Sequence, residues 1–565
     1  MNQTDKEFLS VIGSICAAFG FLILFLFGAL LFPHQPTEAQ STSISIPAGQ
    51  GRTIQCTNST AKIEPKTSGS FVVTCGNAAT TPTPTATPTP TPQPTATPTP
   101  TPILPPTTGG PELPREYINT SIPQTSGIVR QVFSGNNLQT VLNAAQMGDT
   151  ITLEAGASFS GNFTLPAKQG SGWIIVRTSN LAGIGAEGQR TTPANAGAMA
   201  KIIGADASLS VVGTAAGASG WRLIGLEITH SIASVTFTRL VRIGAHDSTT
   251  DTASDIVIDR CYIHGGATLN TRRGVEMHGK RIAVIDSYIS DIHETQTDSQ
   301  AICGWNGSGP FKVVNNYLEA ASENVMFGGA DPAIKNLVPS DIEFRRNTLA
   351  KPSTWKGKDW NIKTLFEIKN GQRVWIDGNT FDGVWPAAQA GFAMNLKSVN
   401  QEGQCAWCHA GDLTITNNVI KNAAGGLSLL GTDPNQPGVP MSRVLIRNNS
   451  FDVSGDYWGY INHVDDLTID RNTLTNAGSI FQAEGSPSAR FVMTANSMKQ
   501  GLYGIKGAGL GSGMPTLTAL FPGYQFIGNV ILGGDPAIYP AGNYYQSMPN
   551  VGADQSAITA AQGRP

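Results

Sequence analysis

The chain has 565 residues, a formal net charge of −3, 63 glycines and only 14% charged residues. No basic stripe is present, which excludes nucleic acid as a partner. Few charges with many glycines and asparagines suit a turn-rich all-β chain better than a helical one.

Residues 11–32, VIGSICAAFGFLILFLFGALLF, carry no charge. As a helix this stretch spans roughly 33 Å, about a bilayer core. A signal peptide usually has a shorter apolar run, of about 7–15 residues. The sequence TEAQ at 37–40 nevertheless offers small residues for cleavage after Ala39. Residues 1–40 are therefore expected to be a transmembrane anchor or a signal segment. The rest is expected at the cell surface, held to the membrane by this helix, or secreted if the segment is cleaved.

Residues 41–79 read as a small β module. A disulfide between Cys56 and Cys75 would close a loop of about 20 residues and contribute on the order of 3 kcal/mol. A piece this small needs such a staple. Residues 80–114 are a linker, with Thr and Pro alternating over 80–102. Proline removes amide donors and fixes φ, so an extended spacer of about 3.1 Å per residue is expected. A main domain follows over 115–550, with a tail at 551–565.

The main domain opens on NNLQTVLNAAQMGDTITLEAG (136–156), where Leu138, Val141, Leu142 and Ala145 recur with helical spacing. This predicts one amphipathic helix of about ten residues, ended near Gly148. A repeat then appears: DIVIDRCYIHGG (255–266), RIAVIDSYISDI (281–292), PFKVVNNYLEAA (310–321), DIEFRRNTLAKP (341–352), RVWIDGNTFDGV (373–384), and on to GYQFIGNVILGG (523–534). One column aligns Cys261, Ser287, Asn316, Asn347, Asn379, Asn418, Asn449, Asn472, Asn496 and Asn529. Variable spacing around a fixed motif means one unit with insertions. Asparagine amides stacked at strand spacing of about 4.8 Å bond to the rungs above and below. Asparagine also tolerates the left-handed conformation that turns a strand sharply. Hairpins would instead put turn signals every 8–12 residues, about one per strand, with no asparagine column.

The asparagine column, the short strands and the leading helix resemble right-handed parallel β-helix proteins of the pectate-lyase-like superfamily. The resemblance covers roughly 130–550. It implies an all-β, single-stranded right-handed parallel β-helix with a short N-terminal capping helix, and an exported carbohydrate-active protein. It also implies a substrate groove along one outer sheet. Fold alone does not fix chemistry.

Cys405-Ala-Trp-Cys408-His409 has the spacing that tethers a c-type haem. Haem also needs a second axial ligand and an apolar pocket. This motif sits in the longest insertion, 39 residues between ladder asparagines, and runs straight into a strand. A Cys405–Cys408 disulfide bracing the loop is preferred over haem, with a metal site using His409 as the alternative. Cys261 and Cys303 read as buried thiols.

Each rung carries a second short strand after the bend, and alternation assigns its outward residues. The expected outward row holds Glu276, His278, Asn324, Met326, Glu367, Lys369, Ala393, Asn395, Lys397, Gln482, Glu484 and Lys506. An acidic-polysaccharide lyase needs a cation to neutralise a carboxylate and a base to take the neighbouring proton. Lys369 and Lys397, with Glu367, are the catalytic candidates. Glu276, His278, Asn324, Asn395, Gln482, Glu484 and Lys506 are the substrate-binding candidates. The compact Asp cluster of the hydrolases of this fold is missing. So is the acidic cluster of a typical calcium site, although Glu294 and Asp298 leave calcium possible. The expectation is a monomeric polysaccharide lyase; a glycan-binding or adhesion protein and a glycoside hydrolase are the alternatives.

Overall fold

The structure is a computed structural model that describes residues 110–475 and 478–563, together with the backbone of three strands nearer the N-terminus. The apolar segment 11–32, the run 80–102 and the side chains of Cys56 and Cys75 lie outside the described residues. Among the described residues no helix is long and apolar enough to cross a membrane. The three early strands, Arg52–Cys56, Ser59–Pro65 and Phe71–Cys75, form an antiparallel sheet with Ser59–Pro65 in the middle. Cys56 and Cys75 thus end strands on opposite sides of the central one.

From Val129 the chain coils as a right-handed parallel β-helix. One turn shows the pattern. Phe311–Val314 lies in the first sheet, Tyr317–Ala320 in the second and Glu323–Phe327 in the third. The chain then re-enters the first sheet at Ser340–Arg345. The sheets hold 14, 13 and 12 strands respectively, each paired in parallel with the strand one turn before and one turn after. The intrinsic twist of the strands favours the right-handed crossover. Alternation sends Val313, Leu318, Val325, Phe327 and Phe344 inward, all fully buried in one core that runs the length of the coil. Burying each such side chain contributes about 1.5–3 kcal/mol.

The bend between the first and second sheets carries the asparagine column as expected. Asn347 donates its backbone N–H and its Nδ2 to Asn379 Oδ1 at 2.8 and 3.1 Å. Asn379 repeats this on Asn418, Asn418 on Asn449, and so on to Asn529. The column runs one step further than the repeat indicates, because Asn529 bonds to Asn543 Oδ1 at 3.0 Å. The left-handed residue is not the ladder asparagine but the one before it: Asn315, Arg346, Gly378, Asn417, Asn448 and Arg471 all have φ between 52° and 65°. The ladder amides serve the hydrogen bonds, and their predecessors make the turn.

The ends are closed. At the start, the helix Leu138–Ala144 buries Leu138 and Leu142, and Asn137 caps it by accepting from Thr140 N. It is 7 residues long, shorter than the spacing suggests, because Ala145 is already extended. At the far end, the helix Met514–Leu520 buries Leu517, and Phe521 stacks on Phe491 at 4.3 Å.

Residues on both sides of 115–550 pack against the coil. Glu112 N donates to Asp412 Oδ1, Arg115 N donates to Asp341 Oδ1, and Tyr117 sets its edge against Trp375. Residues 110–121 thus run across the outer face of the first sheet. After 550, the helix Gln555–Ala561 docks on the asparagine bend through Asp554 N to Asn448 Oδ1 and Gln562 Nε2 to Thr380 Oγ1. The third sheet is crossed by neither segment, and its outer face is edged by the long insertions between rungs.

Candidate active site

The centre of that face is a row in register. Arg242 pairs with Glu276, Glu276 with Cys303, Cys303 with Met326, and Met326 with Glu367. Glu367 pairs in turn with Asn395, and the row ends Tyr460, Gln482, Lys506. His278, Lys397 and Glu484 stand two residues further along their strands, and Lys369 just past the end of its strand, on the same face. Ala393 lies in the core instead, and ten of the twelve expected outward residues share the face.

Asn324 does not. Its strand begins in the bend, and its amide turns back to donate to Leu318 O and Ala350 O, both at 2.8 Å. Its Oδ1 accepts from Lys351 Nζ at 2.7 Å. Lys351 also donates to Ala320 O and Ser322 O. Full burial pushes the Lys351 ammonium down to about 7, with Glu323 and Glu319 opposing that shift. Asn324 and Lys351 thus fill the corner of the coil, away from the outer face.

The rest of the face is a layered charge network. Glu276 is fully buried, with Arg273 Nη1 at 2.6 Å from one oxygen and Arg239 Nε at 3.3 Å from the other. Arg273 Nε donates to Gln300 Oε1, and Gln300 Nε2 donates to Glu323 Oε2 at 2.8 Å. Lys363 bridges Glu323, at 3.6 Å, and Asp298. Burial, then the neighbouring Glu367 and Asp298 charges, push the Glu323 carboxyl up to about 7, against Lys363 and Gln300. Burial works against the Lys363 ammonium, but Glu323 and Asp298 outweigh it and hold it above its ordinary value.

Glu367, also fully buried, accepts from Asn395 Nδ2 at 3.1 Å and faces Lys397 Nζ at 3.6 Å. Lys369 Nζ donates to the amide oxygen of Gln401 at 3.1 Å.

At the Arg273 end, His278 is buried with no hydrogen bond at either ring nitrogen. It meets Trp305 edge to face at 4.3 Å, and Arg273 lies 5.1 Å over the same indole. Burial, with His246 and three arginines nearby, holds the His278 imidazole well below its ordinary value. Cys303 is buried in the row, and burial pushes its thiol up to about 12, so it is no thiolate nucleophile. At the far end, Tyr460 donates to Glu484, and Lys506 lies 3.9 Å over the Tyr503 ring.

Cys405 and Cys408 are joined, with Cα atoms 5.3 Å apart. Both sulfurs are engaged with each other, so neither is free for a thioether to haem. His409 turns Nδ1 towards Trp407 O at 3.3 Å. Asp331, Cys405 and Cys408 are the one group among the described residues whose ligand atoms converge, within 4.8 Å. Joined sulfurs are poor ligands for an ion, because metals bind the thiolate.

The carboxylates of the face do not fit calcium, since Glu276, Glu323 and Glu367 each already face a cation. Glu294 is likewise spent, accepting from Gln296 N and Thr297 N.

Pattern reasoning missed Arg273, Gln300, Glu323 and Lys363. Arg273, Gln300 and Glu323 are paired across rungs three residues before the central row. The available signal was the register itself, once Glu276 had been placed.

No family model matches the chain, and no curated protein does so. Among solved structures it is similar to an alginate lyase from Paenibacillus sp. str. FPU-7, at 13% identity and a TM-score of 0.31, over 71% of this chain and 99% of that one. It is also similar to the pectate lyase Pel9A, at 10% identity and 0.27, over 72% and 80%. A third is the Family 28 exopolygalacturonase of Yersinia enterocolitica, at 10% and 0.28, over 74% and 75%. At such values the fold rests on the strand pairing described above, and the chemistry on the site.

Proposed function

We propose that the chain is a polysaccharide lyase that cleaves an acidic glycan by β-elimination along the outer face of the third sheet. One observation carries this reading. The carboxylates Glu276, Glu323 and Glu367 are buried at the bottom of the network, while Arg239, Arg273, Lys363 and Lys397 keep 13–19% of their side chains exposed above them. Nearly balanced charge thus presents cations outward, which suits a chain of carboxylates.

In the reaction, Arg273, Lys363 or Lys397 neutralises the uronate carboxylate and so acidifies the neighbouring C–H. Lys397 faces a carboxylate and suits that electrostatic role. Lys369 faces a neutral amide and suits the role of base. It takes the proton, the C–H electron pair forms the C=C bond, and the bond to the glycosidic oxygen breaks, that oxygen taking a proton from water. Gln482, Glu484 and Lys506, further along the sheet, line the path of the polymer. The test is a panel of uronic-acid polymers, with the absorbance of unsaturated uronyl ends as readout. Binding without such ends favours a non-catalytic glycan-binding protein.

A glycoside hydrolase is the second reading, favoured by one feature. Glu323, its carboxyl pushed up to about 7 by burial and by the neighbouring Glu367 and Asp298 charges, is a candidate general acid beside a second carboxylate, and hydrolysis uses a pair of carboxyl groups. Saturated reducing ends would identify it.

In either case we place the domain outside the cell, on the Thr/Pro spacer, anchored through residues 1–40 and acting as a monomer. Protease shaving of intact cells, and sedimentation of the released domain, test this placement.

A further inference from the structure

The Cys405–Cys408 insertion has no part in the chemistry above, yet it holds the proposed base. Lys369 directly follows the short strand Phe366–Ile368, and its Nζ reaches Gln401 Oε1 at 3.1 Å. Gln401 lies in a turn, and that turn is fastened at several points. Val399 N donates to Lys369 O, and Asn400 N donates to Gln436 O. Gln436 Nε2 donates to Gln401 O at 2.6 Å. Cys405 N donates to Asn400 Oδ1, also at 2.6 Å. Asp331 accepts from Glu402 N and Gln404 N at 3.0 and 2.8 Å. On the far side of the disulfide the chain returns to Lys369's neighbours, with His409 N donating to Asn370 Oδ1 and Gly371 N to His409 O. Both cysteines are buried, at 0% and 1% exposure.

We infer that Gln401 is a positioning residue for Lys369, and that the insertion, braced next to Gln401 by the Cys405–Cys408 disulfide, holds it there. The catalytic consequence rests on the lyase reading; the positioning itself does not. A glutamine gives Lys369 an acceptor without a charge. The aliphatic stem is thereby aimed along the face, and no carboxylate is offered to fix the ammonium form. The rest of the loop fixes where that acceptor stands.

The test reads the amine directly. Lysines of the full chain are reductively methylated across a pH series, and Lys369 and Lys397 are quantified separately by peptide mass spectrometry. Gln401→Glu places a carboxylate against Nζ, and the pH needed to label Lys369 is expected to rise by about one unit, with Lys397 unchanged. Gln401→Met and the double variant Cys405→Ser/Cys408→Ser release the contact, and labelling of Lys369 alone is expected to quicken several-fold. Profiles for Lys369 that match wild type in all three variants overturn the inference. So does an equal change at both lysines, which reports general loosening of the face. Failure of the wild-type chain to cleave any polymer of the panel counts against the lyase reading only, because the labelling needs no glycan.

Discussion

Arg373 grips Asp341 one turn away through two parallel contacts, Nε to Oδ1 at 2.7 Å and Nη2 to Oδ2 at 2.9 Å. The same pair recurs as Arg281 on Asp255, Arg443 on Asp412 and Arg490 on Asp466. All eight residues stand at positive φ, between 51° and 60°. Each opens its turn of the first sheet, so this bend is bound by charge as the next is bound by amides. Arg373→Met leaves Asp341 without its main partner and is expected to destabilise the domain by about 2 kcal/mol. Adding Asp341→Leu removes the stranded carboxylate as well, and should recover much of the loss in thermal or urea unfolding. A double variant no better than the single one would show that the pair does not act as a unit.

The amide ladder predicts a gradient along the coil. Asn379→Ala strips an acceptor from Asn347 N and Nδ2, both buried. Two unsatisfied donors amount to about 3 kcal/mol or more. Asn543→Ala, at the last step of the column, frees the same two donors on Asn529, but Asn543 is itself part-exposed, so water can reach them and the cost should be clearly less. Equal effects at the two positions would mean that the column is not the spine of the fold.

Acid stability follows from buried histidines. His293 stacks on Trp360 at 3.7 Å and has no hydrogen bond at either nitrogen. Burial pushes His293 and His230 down to about 4. In the unfolded chain each titrates near its ordinary value of about 6.5. Between these values the unfolded chain holds more protons, so stability is present above about 6.5 and is lost as pH falls towards 4. His293→Phe keeps the stack and removes one titration, flattening the acid limb by up to about 1.4 kcal/mol per pH unit. Glu323, raised to about 7, acts with the opposite sign: its contribution is present at low pH and lost as pH rises through 7. Glu323→Gln should therefore raise relative stability above pH 7. Unfolding midpoints measured across pH 4–8 check both slopes.

At the site, Lys369→Met is expected to lower kcat by about 10²–10⁴, the usual worth of a general base. Lys397→Met and Arg273→Met should also lower the rate, in proportion to the charge on the substrate. The decisive comparison is between a polyuronate and its methyl ester. The variants that lose neutralisation should close the gap between the two polymers, whereas Lys369→Met should be slow on both.

The coil was legible because one residue type recurs at one bend, and the amides from Asn316 to Asn529 need no tertiary knowledge to align. The charged bend was equally legible and passed over. The rung motifs begin Asp255, Arg281, Asp341, Arg373, Asp412, Arg443, Asp466, and that alternation of sign is the ladder of ion pairs itself. The site was half legible. Period-two alternation placed Glu276, Glu367, Asn395 and Gln482 correctly, because they lie mid-strand. It failed at Asn324, and it hid Arg273, Gln300 and Glu323, because these open their strands in the bend, where alternation does not govern side-chain direction. That Glu276, His278 and Glu367 are buried was beyond the repeat altogether, since what covers them are side chains of neighbouring rungs: Arg239 and Arg273, Trp305 and His246, Asn395 and Lys397.

The most direct measurement is incubation of the full chain with alginate, pectate and other uronic-acid polymers, with and without chelator. An acidic-glycan lyase on the third sheet predicts unsaturated uronyl products from at least one polymer, formed equally in chelator and abolished by Lys369→Met. Products with saturated ends, or none from any polymer, would contradict it.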